Sequence, residues 1–336
     1  MIAFESAFGR KRGGSKPRVV ELFAGAGFFS YAFQEQGFKL DQAYEKDKSA
    51  AATYAKNLGN HIKVCDLTTY RPEGRAEVLI AGPPCQGFSS LGQRNPDDPR
   101  NDLGLIIPKW AAALKTPVVV IENVAGYLKS PTWEKIRLRF EKDGFETFTW
   151  VLNAADFGAP QRRVRSFTIF SKIGEPKIVS KKSRKAKTVR QAFANLPAFP
   201  SKASSHFTLP RTELALKRIR LVPPGGDIRD IARIAPRLVP PSWYETKGKI
   251  VDIWGRMRWD SIGPTIRTGF LNPSRGRFLH PDEDRPISFR EAARLQTVPD
   301  SYQFIGFASD IASQIGNGIP INLGRAVATS VRELFE

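Results

Sequence analysis

The chain has 336 residues, with 52 Lys and Arg against 33 Asp and Glu, for a net charge of +19. At 41% hydrophobic and 25% charged it has the makeup of an ordinary globular protein, long enough for a sizeable core and about two domains. Its two cysteines exclude a disulfide framework and predict a reducing compartment, and with His61, His206 and His280 they give no metal-ligand spacing, so no metal is expected. No apolar stretch approaches the ~20 residues of a membrane helix, and the N-terminus carries no secretion pattern, so a cytoplasmic chain without a membrane partner is predicted. A basic excess this large marks a polyanion partner, with nucleic acid as the first candidate.

The basic, glycine-rich GRKRGGSKPR closes a leading segment of which residues 1–17 are predicted to be mobile. Val19 to Phe38 then reads as strand, glycine turn and helix. KLDQAYEKDKSAAATYAKNLG gives a short strand into Glu45 and another helix. AEVLIAGPP is an apolar strand stopped by prolines, TPVVVIENV a second buried strand, and TFTWVLNAADFGAPQRRVRSFTIF a strand, loop and strand. Short apolar strands alternating with helical stretches predict an α/β fold with a mostly parallel sheet. After Ser171 the basic SKKSRKAKTVR leads into a stretch rich in Pro, Gly and Arg, read as a smaller, irregular second domain. SFREAARLQTVPD predicts a helix with a proline stop, and INLGRAVATSVRELFE an amphipathic C-terminal helix.

Two constellations carry chemistry. Gly25 and Gly27 stand between a strand and a helix, where glycine lets the backbone approach a ligand, and Glu45 follows at about the 20-residue interval of a ribose-binding acid. A plain tight turn has the same Gly-x-Gly, and Ser30 replaces the third glycine of a dinucleotide fingerprint. A cofactor without a pyrophosphate therefore fits better than a nicotinamide. Cys85 follows a strand end stiffened by Pro83 and Pro84, at the sheet edge where open α/β sheets hold their sites. A lone cysteine is more often a small buried hydrophobe. As a nucleophile it would need positive charge nearby, which Arg162, Arg163 and Arg165 could supply. Glu122 ends the strand VVVIE at the same edge. Desolvation there would raise its pKa and suit a proton donor, while a helix cap or an arginine partner would explain it equally well.

The ordered blocks ELFAGAGF, GPPCQGFS, IENV, QRRVR, REAARLQTVPD and QIGNGIP together resemble the DNA (cytosine-5) methyltransferases, most closely the bacterial modification methylases, over about Val19 to Val331. The resemblance implies a Rossmann-like methyltransferase sheet with helices on both faces. The catalytic domain would comprise residues 1–184 and 312–336, and a target-recognition domain residues 185–311, most variable over about 185–255. It implies S-adenosylmethionine as cofactor and transfer of its methyl group to C5 of a cytosine flipped out of double-stranded DNA. Cys85 would be the nucleophile adding to C6, Glu122 would hold N3 and the exocyclic amine, and Arg163 and Arg165 would face the base and the catalytic loop. Phe23, Gly25, Gly27, Glu45, Asp66, Pro83, Leu103 and Asn317 would bind the cofactor. Gln86, Ser89, Thr265 and Arg267 would contact DNA. A monomer is expected, with a separately encoded restriction endonuclease as the natural counterpart. Phe28 stands where the family commonly has a further glycine, Ile266 where it has Leu, Thr297-Val298 where Gly-Phe is usual, and Gly318-Ile319 where Ala-Val is commoner. An RNA cytosine-5 methyltransferase is the nearest alternative, but the chain lacks the Cys-Phe-Thr signature of the tRNA-modifying members. A non-catalytic DNA-binding protein on the same fold would not need the intact Cys85, Glu122 and Arg163.

Overall fold

The computed structural model describes residues 15–84, 99–178, 185–197, 199–240, 243 and 252–336. Strands β1 (Arg18–Leu22), β2 (Lys39–Glu45), β3 (Ile62–Val64), β4 (Val78–Ala81), β5 (Val118–Asn123), β6 (Glu146–Asn153) and β7 (Val164–Ser171) form one seven-stranded sheet in the order β3-β2-β1-β4-β5-β7-β6. The pairs from β3 through β5 are parallel, while β7 runs antiparallel to both β5 and β6. The expected mostly parallel α/β sheet is what the chain forms.

The strands are placed by their composition. Val78–Ala81 and Val118–Asn123 are buried throughout, as the run of Val, Leu and Ile requires of strands covered on both faces. Each such side chain removed from water contributes about 1.5–3 kcal/mol. Helices α1 (Phe28–Glu35), α2 (Lys48–Leu58), α3 (Ile107–Ala113) and α4 (Pro131–Lys142) connect them, with a 3₁₀ stretch Pro99–Ile106 before α3. Helix α2 is started by Asp47, whose carboxylate accepts from Ala50 N at 2.7 Å. Helix α4 is started by Ser130, accepting from Trp133 N at 3.0 Å, with Pro131 at its first position.

Beyond the sheet come short helices α5 (Val189–Phe193), α6 (Glu213–Arg220) and α7 (Ile228–Ile234), then α8 (Phe289–Leu295), α9 (Ala308–Asn317) and α10 (Ile321–Arg332). Ile219, Val222, Ile231, Trp254 and Leu279 make a small core around α6 and α7. Arg256, 3% exposed, ties this core together by donating to the carbonyls of Ile219, Val222 and His280. Residues from Met257 onward behave differently. Ile266, Phe270, Phe289, Leu295 and Tyr302 share a core with Ala26, Phe28 and Ala32 of the first segment. The boundary expected between residues 311 and 312 falls inside α9. Helix α10 lies along α1, and the absence of a side chain at Gly324 permits this, because a Cβ there would fall 2.8 Å from Ala32 Cβ.

Candidate active site

The chain order doubles back between β1 and β4. The loops after these two strands therefore leave the carboxyl edge side by side, at the point where an open α/β sheet leaves a crevice. After β1 the backbone turns sharply. Phe23, Gly25 and Gly27 have φ of 57°, 54° and 88°. Gly27 has a second reason to be glycine, since a Cβ there would meet Leu58 at 2.6 Å and Tyr54 at 2.7 Å. Phe23 holds its positive φ without that freedom, a local strain that the surrounding packing must sustain.

Glu45, at the end of β2, reaches this turn. Its Oε2 accepts from Gly25 N at 2.8 Å, and its Oε1 accepts from the backbone N–H groups of Lys46 and Asp47, both at 2.8 Å. The carboxylate is thus oriented by main chain. Asp66 stands one strand further out, with Lys46 between the two acids. The Lys46 ammonium lies 2.7 Å from Asp66 Oδ2, and Thr68 donates to Oδ1 from its hydroxyl and its N–H. Those donors, Lys46 first, hold the Asp66 carboxyl well below the usual range. Of the cofactor residues implied by the sequence, Glu45 and Gly25 are brought into direct contact. Phe23, Gly25, Gly27, Glu45 and Asp66 follow successive strand ends, half-buried Leu103 lies in the 3₁₀ stretch, and exposed Asn317 is the last residue of α9.

The second half of the site lies at the ends of β4 and β5. Ala81 pairs with Ile121, so Gly82 comes level with Glu122, and a Cβ on Gly82 would stand 3.6 Å from Glu122 Oε2. Pro83 is fixed by its neighbour strand, its carbonyl accepting from Asn123 Nδ2 at 3.1 Å. Glu122 is 9% exposed, and Arg165 Nε lies 3.1 Å from its Oε1. Burial pushes the Glu122 carboxyl up, and the charges of Arg165 and Arg163 pull against that rise. The result is a desolvated carboxyl held beside a fixed positive charge, with burial the larger of the two opposing influences. Cys85, Gln86 and Ser89 lie outside the described residues.

Arg163 is held in the interior by backbone carbonyls. It is 1% exposed, and its Nη1 and Nη2 donate to the carbonyls of Ile266 at 2.6 Å and Gly316 at 2.9 Å. The arginine lying on Glu122 is Arg165. Gln161 works alongside Arg163, accepting from Ile266 N at 2.8 Å and donating to Leu295 O at 2.9 Å. Thr265 donates its hydroxyl to Arg162 O at 2.5 Å, and Arg267 is exposed. Arg163 and Gln161 thus fix the 265–267 strip against the end of α9. Sequence reasoning passed over Asn123 and Gln161 as individual residues. The signal available was their place inside IENV and QRRVR, where a polar residue abuts a buried strand.

Among the described residues no group of His, Cys, Asp and Glu could hold a metal ion, and no helix is long and apolar enough to cross a membrane.

Residues 17–333 match the family model for C-5 cytosine-specific DNA methylase. Among curated proteins, the chain is 28% identical to the type II methylase M.HgiDII of Herpetosiphon aurantiacus, over 95% of this chain and 96% of that one. It is 31% identical to the type II methyltransferase M1.HphI of Haemophilus parahaemolyticus, over 94% and 86% of the two chains. Among solved structures it resembles a prophage-encoded chain from E. coli described as a DNA modification methyltransferase, with a TM-score of 0.74 at 21% identity and coverage of 95% and 99%. It also resembles the S. pombe Dnmt2 methyltransferase, with a TM-score of 0.62 at 18% identity and coverage of 95% and 98%. With nearly the whole chain matched, and with a methyltransferase sheet carrying its acids at the strand ends, the chain belongs to the C-5 cytosine-specific DNA methylases.

Proposed function

We propose that the protein methylates C5 of cytosine in a specific sequence of double-stranded DNA, as the modification half of a restriction-modification pair. The observation that carries the mechanism is the buried Glu122–Arg165 pair beside the end of β4, four residues before Cys85 in the chain. Cytosine C5 is a weak nucleophile until the ring loses its aromaticity. In this reading the Cys85 thiolate adds to C6 while Glu122 donates to N3 and accepts from the exocyclic amine, holding the charge that develops as C5 becomes enamine-like. Loss of the C5 proton and expulsion of Cys85 complete the turnover. Arg165 keeps the Glu122 side chain in register and tempers the rise of its pKa.

The residues around the glycine turn suit S-adenosylmethionine, which when bound supplies the methyl group. Glu45 has lone pairs left for ribose hydroxyls after its backbone bonds, Asp66 is an acceptor for an adenine amine, and the positive-φ turn exposes backbone without a phosphate cradle. The target base cannot be reached inside a duplex and must leave the stack, at a cost of a few kcal/mol that phosphate contacts offset. The net charge of +19 suits that task. Residues 185–255 would read the target sequence, with Gln86, Ser89, Thr265 and Arg267 close to the DNA. The protein would act as a monomer in a bacterial cytoplasm, at the nucleoid, alongside a separately encoded endonuclease.

The test is methyl transfer from labelled S-adenosylmethionine to mixed-sequence duplex DNA, with bisulfite mapping of the product. Label at one recurring cytosine context, lost by at least roughly 10³-fold in Cys85→Ser while DNA binding persists, is the expected outcome. Absence of incorporation, or full activity in Cys85→Ser, overturns the reading.

A further inference from the structure

The glycine turn and the end of α9, which the proposed function puts on two sides of the cofactor, are far apart in sequence but joined by aromatic residues. Tyr302, fully buried, donates its hydroxyl to Ala26 O at 2.5 Å, inside the turn. Phe28, the first residue of α1, packs edge-on against Tyr302 with centroids 5.4 Å apart, and against Phe304 at 6.2 Å. The Phe28 ring then extends to Gly318, next to Asn317. A Cβ on Gly318 would fall 2.5 Å from Phe28 Cε2 and closer still to Cδ2. The backbone of Gly318, at φ −62° and ψ 154°, would accept any residue. Glycine at 318 is therefore required mainly by the ring, with the Gln314 carbonyl oxygen, 3.2 Å from that Cβ, adding to the constraint. The end of α9 is held in turn by Gln296, whose Nε2 donates to Ile315 O at 2.7 Å and Gly318 O at 3.2 Å.

We infer that Tyr302 is a positioning residue for the cofactor, and that Phe28 and Gly318 are a matched pair whose combined size sets the spacing between the glycine turn and Asn317. The inference rests on the proposed use of S-adenosylmethionine at this crevice. Tyr302 contributes no group to the cofactor. It fixes Ala26, and with it the flanking positive-φ residues Gly25 and Gly27, in the one conformation that presents Gly25 N to Glu45. Without the hydroxyl, Ala26 O loses its buried donor and the turn loses its tether to the 299–304 segment. Phe28 carries the same constraint across to α9, so that enlarging residue 318 pushes the two sides apart unless residue 28 shrinks.

The test titrates the full-length protein with labelled S-adenosylmethionine in the absence of DNA, then measures steady-state kinetics against each substrate. Tyr302→Phe is expected to weaken cofactor binding and raise its KM by about ten-fold, the effect of one buried hydrogen bond. KM for DNA and the rate at saturating cofactor should stay within about two-fold, a split that a general loss of folding would not produce. Gly318→Ala should weaken cofactor binding by a similar factor, and Phe28→Leu combined with Gly318→Ala should recover most of it. Absence of binding by the wild type overturns the proposed cofactor and this inference together. Wild-type affinity in Tyr302→Phe, or strictly additive losses in the 28/318 pair, overturns this inference alone and leaves the cofactor standing.

Discussion

Arg165 lies along the carboxylate of Glu122, its Nε 3.1 Å from Oε1, with only 16% and 11% of the two side chains exposed. The pair joins the end of β5 to the start of β7, two strands that run antiparallel, with Glu122 paired to Phe167. Burial and the arginine act on the same carboxyl in opposite senses, so its proton affinity depends on both. Glu122→Gln is expected to lower kcat by roughly 10²–10³-fold, the size of a lost charge-stabilising donor. In the proposed mechanism Glu122 acts protonated, so the variant should also lose the fall in rate that accompanies its deprotonation. Arg165→Met takes away the opposing charge, so that fall should move to higher pH. A Glu122→Gln profile identical in shape to the wild type would dissociate this carboxyl from the chemistry.

Arg163 is a structural tie in the free protein. Its removal strands the Ile266 and Gly316 carbonyls in the interior. Arg163→Ala is expected to destabilise by about 2–4 kcal/mol, read by denaturant unfolding, and Arg163→Lys to recover little, because one ammonium cannot reproduce the planar fork. Gly316 adds to the same junction, since a Cβ there would fall 2.7 Å from Thr268 Cα. Unchanged stability in Arg163→Ala, with DNA affinity alone reduced, would return this arginine to the DNA surface.

Glu21 in β1 is buried, accepts from Ser30, and through Ser30 meets Tyr54, whose hydroxyl lies 3.0 Å from that of Ser30. Burial pushes its pKa up to about 8, from 4.5. A folded-state pKa above the unfolded one means that the native state holds the proton longer. The stabilisation is complete below 4.5 and is lost as pH rises through 8. Glu21→Gln cannot titrate, so its denaturation midpoint should fall less than that of the wild type between about pH 5 and pH 9. Parallel stability curves would show that Glu21 is already ionised in the native state.

An interface led by phosphate contacts releases counterions. Binding to duplex DNA is expected to weaken by roughly 10³-fold or more between about 50 and 200 mM salt, with a linear log–log slope. Titrations at four or five salt concentrations measure it. A flat dependence would mean that the excess of Lys and Arg serves something other than the DNA backbone.

The composition and local pattern of this chain determined a good deal. Apolar runs such as VLIA and VVVIEN can only be strands covered on both faces, and a strand followed by Gly-x-Gly must turn where a ligand can approach. Glu45 was legible because its distance from Gly25 is a short-range property of one β-α-β unit, and the acid does reach Gly25. The contrast between Arg163 and Arg165 was not legible. Two arginines two residues apart share a local environment, and only the arrival of Ile266 and Gly316, 103 and 153 residues downstream, buries one and leaves the other on Glu122. The same holds for Phe28 and Gly318, two departures from the family pattern that look unrelated along the chain. Tertiary packing decided both, because a carbonyl that needs a donor and a ring that needs space are met by whatever residues the fold brings within a few ångströms, whatever their separation in sequence.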